Sequence, residues 1–294
     1  MGDGFCALLL AATTLALCAC ASHTGLTADK QITLETGEFR VLWDQVYTPE
    51  DWPEPIAADV YIPQRSGPHP AVLVVHGGGW ERRKRQDMDE IASYLARHGF
   101  VAVNISYRFA PAHRWPAQLH DLQQAMRWIH QHAAKLQVDT DRIGGFGYSA
   151  GAHLVTLLGV IDDGDPLDQP YGGRATRIQA VVAGGTPSDL RVWPDGDLTT
   201  QLMGSSYGDN PDAWDGASPI THVTEGDAPT FLYHGGIDTL VSPDQAKNLK
   251  AAMDRAGVPV ELYVVPYLGH ISMFTLNNSA IREATRFLGY YLRR

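Results

Sequence analysis

A serine lies at the centre of residues 147–151 (GYSAG), with a glycine two positions before it and another two positions after it. This segment stands between an apolar, strand-like run at residues 143–147 and a helix-forming run at residues 150–160. A sharp strand-to-helix turn of this kind presents the serine Oγ and directs the next backbone N–H toward a developing oxyanion. The spacing therefore predicts that Ser149 is a nucleophile that attacks acyl carbons.

A second glycine-rich segment, residues 76–80 (HGGGW), follows the apolar run at residues 70–75. Loops of this type supply backbone N–H groups that stabilise the negative oxygen formed when a serine attacks a carbonyl. The predicted oxyanion donors are the amides of Gly78, Gly79 and Ala150. His76 is interpreted as a residue that organises this loop.

The serine requires a base, because its hydroxyl is a weak nucleophile at neutral pH, and an acid must orient that base. Hydrolases with this turn carry the three residues in the chain order serine, acid, histidine. Of the twelve histidines, His270 is the one that follows the last strand able to carry the acid, so it is the predicted base. Asp238, in a glycine-rich strand end, is the predicted acid, and Asp189 is the alternative.

Two aromatic residues flank these segments. Trp80 borders the oxyanion loop and is interpreted as a wall of the substrate pocket. Tyr148 precedes the serine, and for this residue pocket lining and core packing stay equally open. His130 and His132 point to different faces of a helix and no zinc-binding spacing occurs, so the sequence predicts neither a metal nor a cofactor. His153 is expected to pack within the helix that follows the serine.

Apolar strands and amphipathic helices alternate along the chain, which predicts an α/β fold with a mostly parallel sheet of about eight strands and helices on both faces. Ligands of such sheets bind beyond the carboxyl ends of the strands, where both glycine-rich segments lie. An apolar stripe predicts one helix over residues 118–136. Two long segments without clear periodicity, residues 162–176 and 191–227, are predicted to form a loop-built lid.

The composition is typical of a globular protein, with 294 residues of which 44% are apolar and 19% charged. No Pro/Ser-rich linker divides the chain, so residues 38–294 are predicted to form a single domain. The net charge of −10 and the absence of a long basic stripe argue against nucleic-acid binding. The one dense basic cluster, residues 82–85, is interpreted as a solvated loop, with an anion-binding or membrane-facing patch as the alternative.

All three cysteines lie in the first twenty residues, near or within an apolar run at residues 5–21 that is too short to span a membrane. The run ends in LCAC, which is similar to a bacterial lipobox, so residues 1–19 are predicted to be a signal peptide of the lipoprotein type. Cys20 would carry the lipid and residues 20–37 would form a tether. The predicted location is the periplasm or cell envelope, with membrane attachment through Cys20, and simple secretion is the alternative. Residues 1–4 lack the Lys or Arg that is usual at the start of such a signal.

These segments resemble the α/β-hydrolase superfamily, specifically the hormone-sensitive-lipase-like esterases and their bacterial feruloyl/acetyl-xylan esterase-like branch. The resemblance covers most of residues 38–292 and rests on residues 76–80, 107–117, 147–154 and 217–220 together with Asp238 and His270. The chain departs from the lipase-like group in two ways. Tyr148 stands where an Asp is usual, and the short segment after Cys20 cannot build that group's helical cap.

The resemblance implies the α/β-hydrolase fold and a serine carboxylesterase that acts through an acyl-enzyme on short-chain acyl or carbohydrate-linked (acetyl or feruloyl) esters. Ser149 would attack, His270 would transfer the proton, and Asp238 would orient His270. Kynurenine formamidases look similar around the serine, so an arylformamidase-type amide hydrolase is the alternative. An inactive hydrolase fold that acts as a binding module is a further alternative. The sequence leaves the oligomeric state open.

Overall fold

Nine strands form one sheet in the computed structural model of the protein, which describes residues 21–25, 32 and 34–293. They are β1 (Ser22–Thr24), β2 (Phe39–Val46), β3 (Ala57–Pro63), β4 (His69–Val75), β5 (Val101–Ile105), β6 (Val138–Tyr148), β7 (Val181–Gly184), β8 (Thr230–Gly235) and β9 (Val260–Val265). Across the sheet they lie in the order β1-β9-β8-β7-β6-β4-β5-β3-β2. The six neighbouring strands from β9 to β5 run parallel, and β1, β2 and β3 pair antiparallel at the two edges.

The central strands are buried on both faces. All seven residues of β4 are buried, as are all five of β5, which is the burial that a parallel sheet acquires when helices cover both of its sides. The predicted mostly parallel α/β sheet is therefore confirmed. It has nine strands, one more than the approximate count predicted. The strand β1 is only three residues long, too short for any periodicity, and it lies inside the segment predicted to be a tether.

Nine α-helices accompany the sheet in the described part of the chain. They are α1 (Asp89–Arg97), α2 (Ala117–Gln131), α3 (Ala133–Leu136), α4 (Ala150–Val160), α5 (Asp197–Met203), α6 (Pro211–Gly216), α7 (Pro243–Ala256), α8 (His270–Thr275) and α9 (Asn278–Leu292). Apolar residues of α2, α4 and α7 belong to one buried cluster, whereas those of α1 and α9 belong to a second. The two clusters lie on opposite faces of the sheet, because alternate residues of β4 and β5 contribute to one or the other.

The helix predicted over residues 118–136 is in fact two helices. His132 separates α2 from α3 and leaves helical geometry, with φ −108° and ψ 13°. Its Nδ1 lies 2.9 Å from the carbonyl oxygen of Trp128, so its side chain joins the backbone in capping the last turn of α2. The apolar stripe continues across this break, which is why the pattern read as one helix.

The two segments predicted to form a lid lie in different places. Residues 162–176 pack beside α2, where the amide of Gln123 donates to the carbonyl of Leu167 over 2.8 Å, and this segment does not line the pocket described below. Residues 191–227 contain α5 and α6, and the side chain of Trp214 on α6 is fully buried. This second segment is therefore a packed substructure, and α5 borders the pocket.

The predictions for residues 1–19 and for Cys20 fall outside the residues that the structure describes. Within residues 21–25, 32 and 34–293, no helix combines the length and the apolar character needed to cross a bilayer.

Candidate active site

Ser149 occupies the sharp turn between β6 and α4. Its backbone has φ 55° and ψ −121°, a conformation that is rare for a residue with a side chain and that is maintained by its surroundings. A Cβ atom on Gly147 would overlap the carbonyl of Gly151, and one on Gly151 would overlap the carbonyl of Val75 at the end of β4. Both glycines are needed because the turn brings backbone against backbone, and the result is a serine Oγ that faces the pocket.

Three side chains form a hydrogen-bonded chain that ends at this serine. Nε2 of His270 lies 2.9 Å from Oγ of Ser149, and Nδ1 of His270 lies 2.6 Å from Oδ2 of Asp238. His270 follows β9 at the start of α8, and Asp238 follows β8. The structure thus brings the three predicted residues together from the carboxyl ends of β6, β8 and β9, in an arrangement that can move a proton from the serine to the imidazole.

The carboxylate of Asp238 is held from both sides. Its Oδ1 accepts hydrogen bonds from the amides of Leu240 and Val241, each over 2.9 Å, and its Oδ2 also lies 3.4 Å from Nε2 of His234. Burial alone would raise the pKa of Asp238, but the hydrogen bonds from His234, His270 and the Val241 amide outweigh it and lower that pKa below the ordinary carboxyl value. Asp238 is therefore ionised wherever the protein is folded near neutral pH.

The alternative acid, Asp189, lies elsewhere. Its carboxylate forms a bidentate ion pair with Arg191, in which Nε lies 2.7 Å from Oδ1 and Nη2 lies 2.9 Å from Oδ2. It begins a short 3₁₀ turn by accepting from the Arg191 amide, so its role in this structure is to shape the segment that leads to α5.

The predicted oxyanion donors surround Ser149. Gly78, Gly79 and Ala150 all line the pocket beside its Oγ, and their backbone amides find no hydrogen-bond acceptor within residues 34–293. Ala150 is the first residue of α4, so its amide lies at the positive end of the helix. These amides could stabilise a negative oxygen that forms on a carbon bonded to Ser149.

Trp80 and Tyr148 both line the pocket and both are almost fully buried. The indole Nε1 of Trp80 donates to Nδ1 of His153 over 3.2 Å, and the hydroxyl of Tyr148 donates to the backbone carbonyl of His270. For Tyr148 the two possibilities left open by the sequence therefore coexist. The bond to the carbonyl also fixes the backbone that carries the imidazole.

The other histidines named from the sequence lie away from Ser149 Oγ. His153 is fully buried in α4, as expected, and burial lowers its pKa to about 4. His76 is buried against Tyr107, whose ring is stacked on it at 4.5 Å between centroids, and its Nδ1 lies 2.7 Å from the carbonyl of Gly77. The described residues contain no cluster of three or more histidine, cysteine or acidic side chains that could hold a metal ion.

The pocket over Ser149 has a cavity volume of about 460 Å³ and is mainly apolar. Residues that the sequence analysis did not assign to the site contribute much of its wall, namely Trp193, Leu198, Leu240, Ile271 and Phe274. These residues could not be predicted, because the residues of a pocket wall come from separate segments and form no periodic pattern in the sequence. The one available signal was position, since Leu240 and Ile271 closely follow Asp238 and His270.

The basic cluster at residues 82–85 divides between two environments. Arg82 and Arg83 are exposed and lie at the pocket mouth, with Arg82 3.4 Å from Glu81 and Arg83 4.0 Å from Asp87. Arg85 instead points into the protein, where its Nε lies 2.7 Å from Oδ2 of Asp59. The interpretation as a solvated loop therefore holds for the first two arginines and is wrong for Arg85, which is a structural ion-pair partner.

Comparison with known proteins places this site in a family. The sequence model of the BD-FAE family matches residues 58–253, a range that includes Ser149 and Asp238. Among curated proteins, Esterase LipQ of Mycobacterium tuberculosis is 32% identical over 204 residues, which cover 66% of this chain and 48% of that protein. Esterase LipC of the same organism is 31% identical over 193 residues, which cover 62% of this chain and 47% of that protein. The chain thus spans about half the length of these curated relatives.

Solved structures show the same fold. A truncated form of a carbohydrate esterase from gut microbiota superposes with a TM-score of 0.76 at 24% identity, covering 92% of this chain and all of that one. The thermophilic esterase Est2 of the Planctomycetes species Thermogutta terrifontis superposes with a TM-score of 0.71 at 22% identity, covering 89% of this chain and 97% of that one. These findings confirm the resemblance and the fold inferred from the sequence: the chain belongs to the BD-FAE family, within the α/β-hydrolase superfamily.

Proposed function

We propose that the protein is a serine carboxylesterase in which Ser149 is the nucleophile, His270 the general base and Asp238 the residue that orients His270. The observation that carries the proposal is the 2.9 Å approach of His270 Nε2 to Ser149 Oγ, with Asp238 at 2.6 Å from the other ring nitrogen. Supporting it, the curated relatives LipQ and LipC are named esterases.

The proposed reaction has two steps. His270 takes the Ser149 proton as Oγ attacks the ester carbonyl, and the amides of Gly78, Gly79 and Ala150 stabilise the oxyanion. The tetrahedral species then collapses, the C–O bond to the alcohol breaks, and His270 returns the proton to the leaving oxygen. Water, deprotonated by His270, hydrolyses the acyl-enzyme by the same route and restores Ser149.

The proton transfers fix the orientation of the ester. Because His270 must reach the leaving oxygen, the alcohol half lies on the side of the pocket formed by Leu240 and Ile271. Both of these side chains are more than half exposed, at 55% and 61%, so this side is open to bulk solvent and leaves room for a large alcohol. The acyl half is directed away from His270, toward Trp80 and Leu198.

We infer that the substrates are short-chain acyl esters or acetyl and feruloyl esters carried on a carbohydrate. A cavity of about 460 Å³ has room for a short or single-ring acyl group. One solved structure with this fold is described as a carbohydrate esterase. The same chemistry on an N-formyl amide would make the protein an arylformamidase, which is the competing activity to test.

The test is hydrolysis of p-nitrophenyl esters from acetate to decanoate, followed by acetylated xylan, feruloylated xylan and N-formylkynurenine. We expect turnover of the short esters that is abolished in Ser149→Ala and unchanged in the matched control Ser93→Ala, which changes a serine on α1 away from the pocket. Equal activity in the wild type and Ser149→Ala would contradict the serine mechanism. A preference for N-formylkynurenine over every ester would favour the arylformamidase, and folded protein that is inactive on all of these compounds would favour a binding module.

We further propose that the protein is exported as a lipoprotein of the periplasm or cell envelope, with Cys20 as the lipid attachment site. The proposal rests on the apolar run at residues 5–21 and the LCAC sequence that ends it. Labelled palmitate should enter the wild-type protein and not Cys20→Ser. Label that persists in Cys20→Ser would contradict the attachment site, whereas unlabelled protein found in the medium would favour simple secretion.

A further inference from the structure

The oxyanion amides come from two separate segments of the chain. Gly78 and Gly79 belong to the loop after β4, whereas Ala150 begins α4. Three donors stabilise one oxygen only if these segments keep a fixed distance and orientation, because hydrogen bonds weaken steeply with misalignment. A contact between the loop after β4 and the start of α4 must therefore fix their relative position.

A side-chain hydrogen bond makes this connection directly. Trp80, which follows Gly79 in the loop, donates its indole Nε1–H to Nδ1 of His153 over 3.2 Å. His153 lies on α4 one turn after the nucleophile, and its backbone amide donates to the carbonyl of Ser149 over 3.0 Å. The two rings also pack edge to face, with centroids 5.2 Å apart and planes at 85°.

The other ring nitrogen of His153 determines its tautomer. Nε2 lies 2.7 Å from the backbone carbonyl of Ala217, in the segment that follows α6, so this nitrogen carries the proton and donates it. Nδ1 is then left with the lone pair that accepts the indole N–H. Because burial lowers the pKa of His153 to about 4, the ring is neutral at physiological pH and keeps that lone pair.

The loop needs such an anchor because its backbone is strained at this point. Trp80 has a φ of 60°, a left-handed conformation that is uncommon for a bulky residue and persists where the surroundings enforce it. Its carbonyl accepts from the amide of Ala110 over 2.9 Å, which fixes the backbone on one side. The bond to His153 fixes the side chain on the other.

We propose that His153 is a positioning residue for ester hydrolysis that holds the oxyanion loop in register with the start of α4 through the Trp80 indole. The proposal rests on the proposed serine esterase function, since it assigns His153 a part in stabilising the oxyanion. This role accounts for a histidine at a fully buried position on a helix whose other residues are apolar except for Thr156.

Three substitutions separate this role from simple packing. His153→Asn keeps an acceptor at the position of Nδ1 but cannot reach Ala217, whereas His153→Gln keeps the donor to Ala217 but removes the acceptor for Trp80. Trp80→Phe removes the indole N–H and retains a ring. We expect His153→Gln and Trp80→Phe each to lower kcat on p-nitrophenyl acetate by about ten- to a hundredfold with a small change in KM, and His153→Asn to stay within about threefold of the wild type.

A double-mutant cycle tests whether Trp80 and His153 act together. Once one substitution has removed their hydrogen bond, the second should not lower kcat any further. His153→Gln combined with Trp80→Phe should therefore have the kcat of either single variant. A control, His130→Gln on α2, makes the same exchange away from the pocket and should leave kcat unchanged. The proposal would be overturned if the double variant lost kcat by the product of the two single effects, or if His153→Gln kept the wild-type kcat.

The indole N–H provides a second readout that does not require turnover. In protein labelled with ¹⁵N-tryptophan, the Trp80 cross-peak is the one lost in Trp80→Phe, and it should shift in His153→Gln but hardly in His153→Asn. If the chemical shift of the Trp80 indole N–H is the same in the wild type and in both His153 variants, the hydrogen bond between Trp80 and His153 is contradicted. If the wild type and Ser149→Ala prove equally inactive, the esterase proposal fails while the indole peak still decides whether His153 holds Trp80.

Discussion

Nε2 of His234 lies 3.4 Å from Oδ2 of Asp238, the same oxygen that lies 2.6 Å from Nδ1 of His270. Two imidazoles thus flank one carboxylate oxygen, while two backbone amides hold the other. The nearer partner of His234 Nε2 is the carbonyl of Val241 at 2.8 Å, so His270 and the two amides are what give the carboxylate its orientation. The lowered pKa of Asp238 keeps the carboxylate charged. Asp238 is consequently suited to orient His270 and to stabilise the imidazolium that forms during proton transfer.

Replacement of this carboxylate by an amide should therefore abolish most of the activity without unfolding the protein. In Asp238→Asn the amide NH₂ can face His270 Nδ1, which puts the remaining ring proton on Nε2, where it can no longer accept the serine proton. We expect kcat on p-nitrophenyl acetate to fall by about 10⁴-fold, the effect of the equivalent exchange in other serine hydrolases. Circular dichroism should show an unchanged fold.

The control for this experiment is Asp189→Asn, which changes the aspartate that pairs with Arg191. Its expected effect is on stability rather than on chemistry, with kcat close to that of the wild type. If Asp189→Asn instead produced the larger loss of kcat, the assignment of Asp238 would be wrong.

Much of the fold could be predicted because its central elements carry local signals. The helix-forming run at residues 150–160 is α4 with the predicted bounds, and the apolar run at residues 70–75 lies within β4, since each is a nearly continuous apolar run. The strand β1 could not be predicted, because three residues carry no periodicity and its pairing with β9 joins residues more than 230 positions apart.

In the candidate site, too, some residues could be predicted from local sequence signals and others could not. Ser149, Asp238 and His270 could be named because the turn geometry and the order of the strands restrict where such residues can stand. Leu198 could not, because it reaches Gly79 through a contact made across the fold. His234 stands only four positions before Asp238, but no motif marks it as a partner of that carboxylate. Trp80 Nε1 and His153 Nδ1, likewise, are 73 positions apart in sequence and meet only because β4 and β6 are neighbours in the sheet.

The buried neutral state of His153 predicts a loss of stability in mild acid. Its pKa is about 4 in the folded protein against an ordinary value of 6.5, so between these values the unfolded chain binds a proton that the folded chain does not. The free energy of unfolding contributed by this residue is therefore complete above pH 6.5 and decreases as the pH falls toward 4, by at most about 1.4 kcal/mol per pH unit. Burial also lowers the pKa of His76 to about 4, which adds to the slope.

Urea unfolding at a series of pH values measures this slope. His153→Asn places a neutral amide at the position, so its free energy of unfolding should depend less on pH over the same range, by the equivalent of one proton. The comparison uses differences in slope, so a lower overall stability of the variant does not affect it. An identical slope in the two proteins would show that His153 is not held neutral by the fold.

Leu198 on α5 should limit the length of the acyl group. Its two terminal carbons lie 3.1 and 3.2 Å from the point where a Cβ on Gly79 would stand, so this side chain covers the oxyanion loop at Gly79. Leu198→Ala removes that cover and lengthens the apolar channel. Each additional methylene that becomes buried stabilises the bound ester by about 0.8 kcal/mol, or roughly fourfold in kcat/KM.

The measurement is the ratio of kcat/KM for p-nitrophenyl octanoate to that for p-nitrophenyl acetate, which we expect to rise in Leu198→Ala. The matched control is Leu276→Ala, which truncates a leucine that is 59% exposed at the end of α8 and does not line the pocket. That variant should leave the ratio at the wild-type value. A ratio that stays constant in Leu198→Ala, or that rises equally in both variants, would mean that the acyl group does not extend toward α5, and the orientation deduced from the proton transfer to the leaving oxygen would have to be reversed.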